Sequence, residues 1–195
     1  MAVNARLPAC RRASRRHLRG VALAAWLALT PVLAAAVDTE EQLALRVKAA
    51  LMFNVIKFVA WPDAKLQKAD TPIRVCVLEA EAEPFATILG DTVRGKTIDG
   101  HPLISDRSTR ASELRDCHLV YVAGDDPARV HAALTELQGS SALVVYEHDE
   151  TLREGTVRLL LVERKLRFEI NAAAAERENL QISSKLLSLS IVVRR

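Results

Sequence analysis

Aromatic residues are scarce in this chain, with two Trp, two Tyr and four Phe among 195 residues. A basic patch interleaved with aromatic rings cannot be built from so few, and no Lys/Arg-rich patch survives beyond residue 36, so nucleic-acid binding drops out. Cysteine is rarer still, at three residues, and no Cys/His spacing of a metal site occurs. No apolar run reaches the roughly 20 residues that cross a bilayer comfortably. Acidic residues are missing altogether from the first 36 positions. Internal repeats and low-complexity segments are absent from residue 37 onward. Disorder is excluded by the opposite kind of count, because 50% of the residues are apolar.

What the first stretch does contain is basic. Arg6, Arg11, Arg12, Arg15, Arg16 and Arg19 precede an apolar run from Val21 to Ala36 that ends in small residues. Ala34-Ala35-Ala36 fits the small-x-small rule of leader peptidase, so cleavage is expected before Val37. An uncleaved anchor is the alternative, disfavoured by the short apolar run. Ser14-Arg15-Arg16-His17-Leu18 is a partial twin-arginine pattern without the usual Phe, and the general secretion route is the default expectation. The chain is thus expected to divide into a cleavable signal peptide over 1–36 and a single domain over 37–195, exported to the periplasm. The precursor has 27 basic and 24 acidic residues; losing six arginines leaves 21 against 24, a net of −3. The basic isoelectric point therefore belongs to the precursor. Cys10 also leaves, and Cys76 with Cys117 remain, either as one disulfide in an oxidising compartment or as two buried thiols.

Thr39-Glu40-Glu41-Gln42 reads as a capping box opening a helix. Apolar residues recur at Leu43, Val47, Ala50, Leu51, Val55 and Phe58, and Trp61-Pro62 is expected to stop the period. Ile73 to Leu78, Cys117 to Ala123 and Ser141 to Tyr146 are continuous β-branched or apolar runs, as in strands covered on both faces. Between them, Pro84 to Leu89 and the segment opened by Asp125-Asp126-Pro127 read as helices. Asp99-Gly100 marks a hairpin turn, with a further strand through Leu103-Ile104. Strand and helix alternate at the spacing of a parallel sheet with crossover helices. Val157 to Val162 and Leu166 to Ile170 then predict a C-terminal antiparallel hairpin, followed by helices over Asn171–Glu178 and Ser183–Leu189. The expected fold class is α/β, mainly parallel, with helices flanking the sheet.

Residues able to carry chemistry do not converge. His101, His118, His131 and His148 are widely spaced, so no metal and no cofactor is expected. Gly95-Lys96-Thr97 ends like a phosphate-binding loop, but a hairpin follows where a helix N-terminus is needed. Ser183-Ser184-Lys185 lacks the spacing and partner motifs of serine–lysine hydrolases and reads as a helix N-cap. Asp125-Asp126 and Glu147-His148-Asp149-Glu150 place carboxylates after strand ends, where solvated loop charge is the common explanation. Trp61 is either a plug at the core edge or an anchor for a partner.

Four segments together carry a resemblance. Lys48 to Pro62 (KAALMFNVIKFVAWP) is similar to the opening signature of the YfiR family of periplasmic proteins. Pro72 to Val77 and Asp116 to Val122 resemble its two cysteine-bearing strands, and Phe168-Glu169-Ile170-Asn171 with Ile182 to Leu187 resembles its closing signature. The match runs in order from about Leu45 to Val193. What the resemblance implies is a regulator without enzymatic activity that binds the periplasmic sensor domain of a membrane-bound diguanylate cyclase and represses it. Cyclic di-GMP output, adhesion and biofilm would follow. An outer-membrane lipoprotein that sequesters the regulator, and self-association into a homodimer, are also implied. The family pattern makes Cys76 and Cys117 a structural disulfide, while a second cysteine pair is missing here. Partner contacts are expected near Trp61, Phe168, Glu169, Asn171 and Lys185. A small-solute-binding component feeding a membrane sensor is the alternative.

Overall fold

The computed structural model describes residues 39–68, 70–79, 84–124, 126–147 and 154–194. The expected leader and its cleavage point lie outside them, as do Asp125 and His148 to Glu150.

Helix α1 (Glu40–Ile56) starts where the capping box sits, with the Thr39 hydroxyl accepting a hydrogen bond from the Gln42 amide at 3.3 Å. Glu40 and Glu41 in the first turn complement the partial positive charge of that end. Ala49, Met52, Val55 and Ile56 form its buried face. The helix ends earlier than the Trp61-Pro62 signal predicts. Val59–Ala60 leave it as a short strand, β1, whose backbone finds a partner in Gln181–Ile182. Pro62 restricts only Trp61 directly; the ladder extends the chain for two residues more.

Strand β2 (Ile73–Leu78) and helix α2 (Pro84–Val93) follow as expected, the helix one turn longer than read. Strands β3 (Thr97–Ile98) and β4 (His101–Ser108) form the predicted hairpin. Asp99 and Gly100 carry φ values of 50° and 89°, the paired left-handed geometry that matches strand twist. A 3-10 turn (Ala111–Leu114), invisible in the sequence periodicity, leads to β5 (Leu119–Val122), α3 (Pro127–Glu136) and β6 (Leu143–Tyr146). Asp126 caps α3 by accepting from the Ala128 amide at 3.0 Å.

The C-terminal third contains β7 (Val157–Val162), β8 (Lys165–Asn171), α4 (Ala172–Arg177), β9 (Gln181–Ile182), α5 (Ser184–Leu189) and β10 (Val193–Arg194). The β7–β8 turn is tighter than the sequence implied, since Val162 pairs with Lys165 across only Glu163 and Arg164. Both turn residues sit at positive φ, 49° and 62°, without being glycine. Such backbone costs on the order of 1 kcal/mol per residue.

The main sheet has the order β10-β8-β7-β6-β5-β2-β4-β3, while β1 and β9 form a small antiparallel pair apart from it. From β4 through β2, β5 and β6 to β7 all pairings are parallel; β3 and β8 join antiparallel at either side. The fold class is therefore the expected mixed α/β. Alternate residues of the central strands feed two cores. Val75, Val77, Leu119, Tyr121, Leu143 and Val145 pack with α1 and α2. Cys76, Leu78, Val120, Val122, Val144 and Tyr146 pack with α3 and the 3-10 turn.

Cys76 and Cys117 are bonded, both fully buried, on the α3 face of the sheet. The bridge ties β2 to the residue that leads into β5 and closes a loop of 41 residues. Chain entropy assigns a loop of that length roughly 4 kcal/mol of stabilisation. Replacing both cysteines by Ala should lower the unfolding free energy by about 3–4 kcal/mol in urea melts at pH 7. Reductant should then have no further effect on the variant, while it destabilises the parent.

Candidate functional site

At the amino end of the central strands, the residue after the disulfide organises a cluster. His118 is 3% exposed. Its Nδ1 accepts from the Arg74 amide at 3.0 Å, and its Nε2 lies 3.3 Å from the Lys65 carbonyl. The ring is then the tautomer with the proton on Nε2, donating to Lys65. The His118 carbonyl accepts from Trp61 Nε1 at 2.9 Å and from the Leu143 amide at 2.8 Å. Lys65 Nζ donates to the carbonyls of Arg115 and Cys117 at 2.8 and 3.0 Å. Burial, with Lys65 close by, pushes the His118 pKa down to about 4. Burial likewise lowers that of Lys65. Trp61, 8% exposed, stands edge-on to His118 with its indole N–H bonded. It plugs the core edge, the first of the two roles its sequence position allowed.

The other sequence-selected residues divide by burial. Phe168 and Glu169 are each 7% exposed. Phe168 opposes Leu159 on β7, and Glu169 opposes Arg158, whose Nε and Nη2 donate to Glu169 Oε2 at 3.0 and 2.7 Å. A buried pair of this kind is costly to break by removing one partner. Asn171 caps α4 through a 3.0 Å bond from the Ala174 amide. Lys185 is exposed on α5, with Nζ 5.3 Å from the Phe58 ring. Phe58 also receives the Ser183 amide on its carbonyl, so Lys185 lies beside the segment leading to Trp61. Phe168, Glu169 and Asn171 share β8 and its end, while Lys185 and Trp61 sit around the β1–β9 pair.

A surface feature escaped the sequence reading. Leu161 is 75% exposed and Val162 38%, at the strained β7–β8 turn. Leu189, Ile191 and Val192 are exposed in the segment that follows α5 and returns to pair beside β8. The signal was available: Leu159-Leu160-Leu161-Val162 breaks the alternation that one buried face requires. On α1, Leu43 and Val47 are exposed one turn apart, and Arg164 of the hairpin reaches Glu40 of that helix at 3.4 Å.

Elsewhere the polar groups serve structure. Lys48 Nζ meets Glu147 Oε1 at 2.5 Å, and the Tyr121 hydroxyl donates to the same oxygen at 2.7 Å, clamping α1 over the carboxyl ends of β5 and β6. Glu178 accepts from the Gly139 and Ser141 amides, ordering the turn after α3. Ser183 caps α5 by accepting from Leu186. Gly90 and Gly95-Lys96-Thr97 stand at the full spacing of a phosphate-binding loop, yet Gly90 lies inside α2 and Thr97 begins β3. No loop leads there into a helix N-terminus. Among the described residues no three His, Cys, Asp or Glu side chains come together as metal ligands. No helix among them is long and apolar enough to cross a membrane.

Residues 45–191 match the model of a family described as YfiR/HmsC-like. No curated protein matches. Among solved structures, the crystal structure of a conserved domain protein from Vibrio cholerae O1 biovar eltor str. N16961 is similar, with a TM-score of 0.53 at 10% identity. The alignment covers 77% of this chain and 60% of that one, and at such identity it shows the fold alone.

The His118 geometry sets a pH dependence. The folded state holds the ring neutral, with a pKa of about 4 against 6.5 in the unfolded chain, so the unfolded state takes up the proton first as pH falls. The neutral ring's contribution is complete above pH 6.5 and is lost progressively toward pH 4, by up to about 3 kcal/mol. Chemical denaturation between pH 7 and 5, where carboxylates stay ionised, should show this slope. His118→Asn, which can still accept the Arg74 amide, should flatten it; an unchanged slope in that variant would place its origin elsewhere.

Proposed function

This chain belongs to the YfiR/HmsC-like family, and we propose that it is an exported repressor that binds the periplasmic sensor domain of an inner-membrane diguanylate cyclase. The family is known in general as periplasmic regulators of such cyclases. The leader over 1–36 is removed after Ala36, and residues 37–195 act in the periplasm. The Cys76–Cys117 bridge fits that oxidising compartment.

The observation that carries the reading is the exposed apolar set on the C-terminal third, headed by Leu161 at 75%. Leu161, Val162, Leu189, Ile191 and Val192 all belong to β7, the edge of α5 or the tail beside β8. Clustered exposed apolar residues mark interaction surfaces more than solitary ones do. The Glu163-Arg164 turn, with both φ values positive, closes the hairpin that carries Leu161 and Val162. Lys185 stands one turn before Leu189 on α5, and Asn171 ends β8 beside the tail. Phe168 and Glu169, buried, pair with Leu159 and Arg158 and hold β8 against β7, while Trp61 is bonded to the His118 carbonyl at the core edge.

Repression then needs no chemistry at this protein. A domain that binds one conformation of a sensor more tightly shifts the sensor toward it by the difference in affinity. A preference of about 2.7 kcal/mol changes the on/off ratio roughly a hundredfold. An outer-membrane lipoprotein that competes for the regulator would relieve the repression by mass action, and self-association of the regulator would use part of the same surface.

Deleting the gene in its native host should raise cellular cyclic di-GMP, and the wild-type protein should restore the lower level. Leu161→Asp, at an exposed site that leaves the fold intact by circular dichroism, should fail to restore it and should bind the cyclase's sensor domain at least tenfold more weakly. Unchanged cyclic di-GMP on deletion, with the cyclase present, would overturn the reading.

A further inference from the structure

The parallel strands, taken in chain order β2, β4, β5, β6, β7, lie in space as β4-β2-β5-β6-β7. The sheet therefore grows outward from β2 to β4, returns across β2, and grows the other way from β5. Chain connections leave β2 and β5 in opposite directions, opening a crevice at their carboxyl ends. In open α/β sheets this reversal point is where small molecules bind. A cleft of about 380 Å³ lies there, bounded by the ends of β2 and β5, the 3-10 turn and one face of α3. Its size is within the range of clefts that hold small ligands, about 300–1,000 Å³.

Charges around the cleft are not equivalent. Arg110 is engaged by Glu113 of the same turn, and Glu79, 4% exposed, meets Arg107 at 3.5 Å. Arg129 and Glu136 line the cleft from α3, and neither side chain has an ion-pair or hydrogen-bond partner among the described residues. They stand seven residues apart on one helix face, about 10 Å along its axis. Between them the wall is Ala132 and Ala133, facing Leu78, Val122 and Ala111. The site thus offers a cation at one end, a carboxylate at the other, and a narrow apolar floor with room for small side chains. The α3 amino end is already occupied by the Asp126 carboxylate and adds no anion site of its own.

We infer that this cleft binds a short extended peptide with free termini, its carboxylate on Arg129 and its ammonium on Glu136. Three extended residues span about 10 Å, which matches the spacing of the two positions along α3. Small side chains face the alanine-lined wall. The site is separate from the C-terminal surface assigned to the cyclase, so binding can be measured on the purified protein whatever that partner proves to be.

Titration calorimetry with L-Ala-L-Ala-L-Ala is the test, with N-acetyl-trialanine and trialanine amide as one-ended probes. Saturable binding of the free tripeptide is expected, weakened at least tenfold by blocking either terminus. Arg129→Gln should abolish the difference between trialanine and its amide, and Glu136→Gln the difference between trialanine and its acetylated form. Both positions are on the rim of the cleft, and unchanged thermal unfolding would show that the variants fold. No saturable binding up to 10 mM (about −2.7 kcal/mol), or equal binding of free and blocked peptides, would overturn the inference. So would wild-type discrimination retained by both variants.

Discussion

Three adjacent strands that are apolar on both faces dictate the rest of this molecule. Leu119, Val120, Tyr121 and Val122 of β5 are all buried, as are all four residues of β6 and five of the six in β2. A sheet of this kind cannot leave either side to water, because each uncovered face would expose several β-branched or leucine side chains. Helices α1 and α2 cover one side, and α3 with the 3-10 turn covers the other. The edges are where covering stops, and antiparallel annexes finish the sheet there: a short hairpin at β4 and a longer one at β7.

The covalent and polar anchors are concentrated at the amino ends of the same strands. The disulfide joins β2 to the entry of β5, and His118, next in sequence, ties together the Trp61 indole, the Arg74 amide and the start of β6. Lys65 closes the arrangement from the linker by bonding the carbonyls of Arg115 and Cys117. At the opposite ends, Lys48, Tyr121 and Glu147 hold α1 down. Stabilising polar groups are thus spent inside the fold. Exposed apolar side chains remain on the hairpin tip and the returning tail, and also at Leu43 and Val47 of α1 and Ile104 of β4.

Much of this was legible in the sequence, for identifiable reasons. Thr39, Asp126, Asn171 and Ser183 announce their helices because a side-chain oxygen at an N-cap is a local device. Continuous apolar runs announced β2, β5 and β6, and Asp99-Gly100 announced its turn. The pieces that escaped depend on distant partners. Val59–Ala60 and Gln181–Ile182 become strands only by meeting each other across more than a hundred residues. The β10 tail extends because β8 offers an edge. Of the residues the sequence motifs single out, Lys185 is exposed, whereas Phe168 and Glu169 lie buried. Their roles come from pairing with Leu159 and Arg158, which no spacing within one strand reveals. The exposure of Leu161 follows from the broken alternation in Leu159-Leu160-Leu161-Val162.

On the function proposed above, these features serve a regulator that works by surface affinity. On that reading the hairpin tip, the apolar tail and Lys185 supply contact, and the sheet behind them holds its geometry. The most direct test is hydrogen exchange on the mature protein, alone and saturated with the periplasmic domain of a diguanylate cyclase recovered with it from membranes of its host. The account predicts new protection over residues 159–168 and 184–192, with β2, β5 and β6 unchanged. Protection confined to other faces of the molecule, or none on addition of the sensor domain, would contradict it.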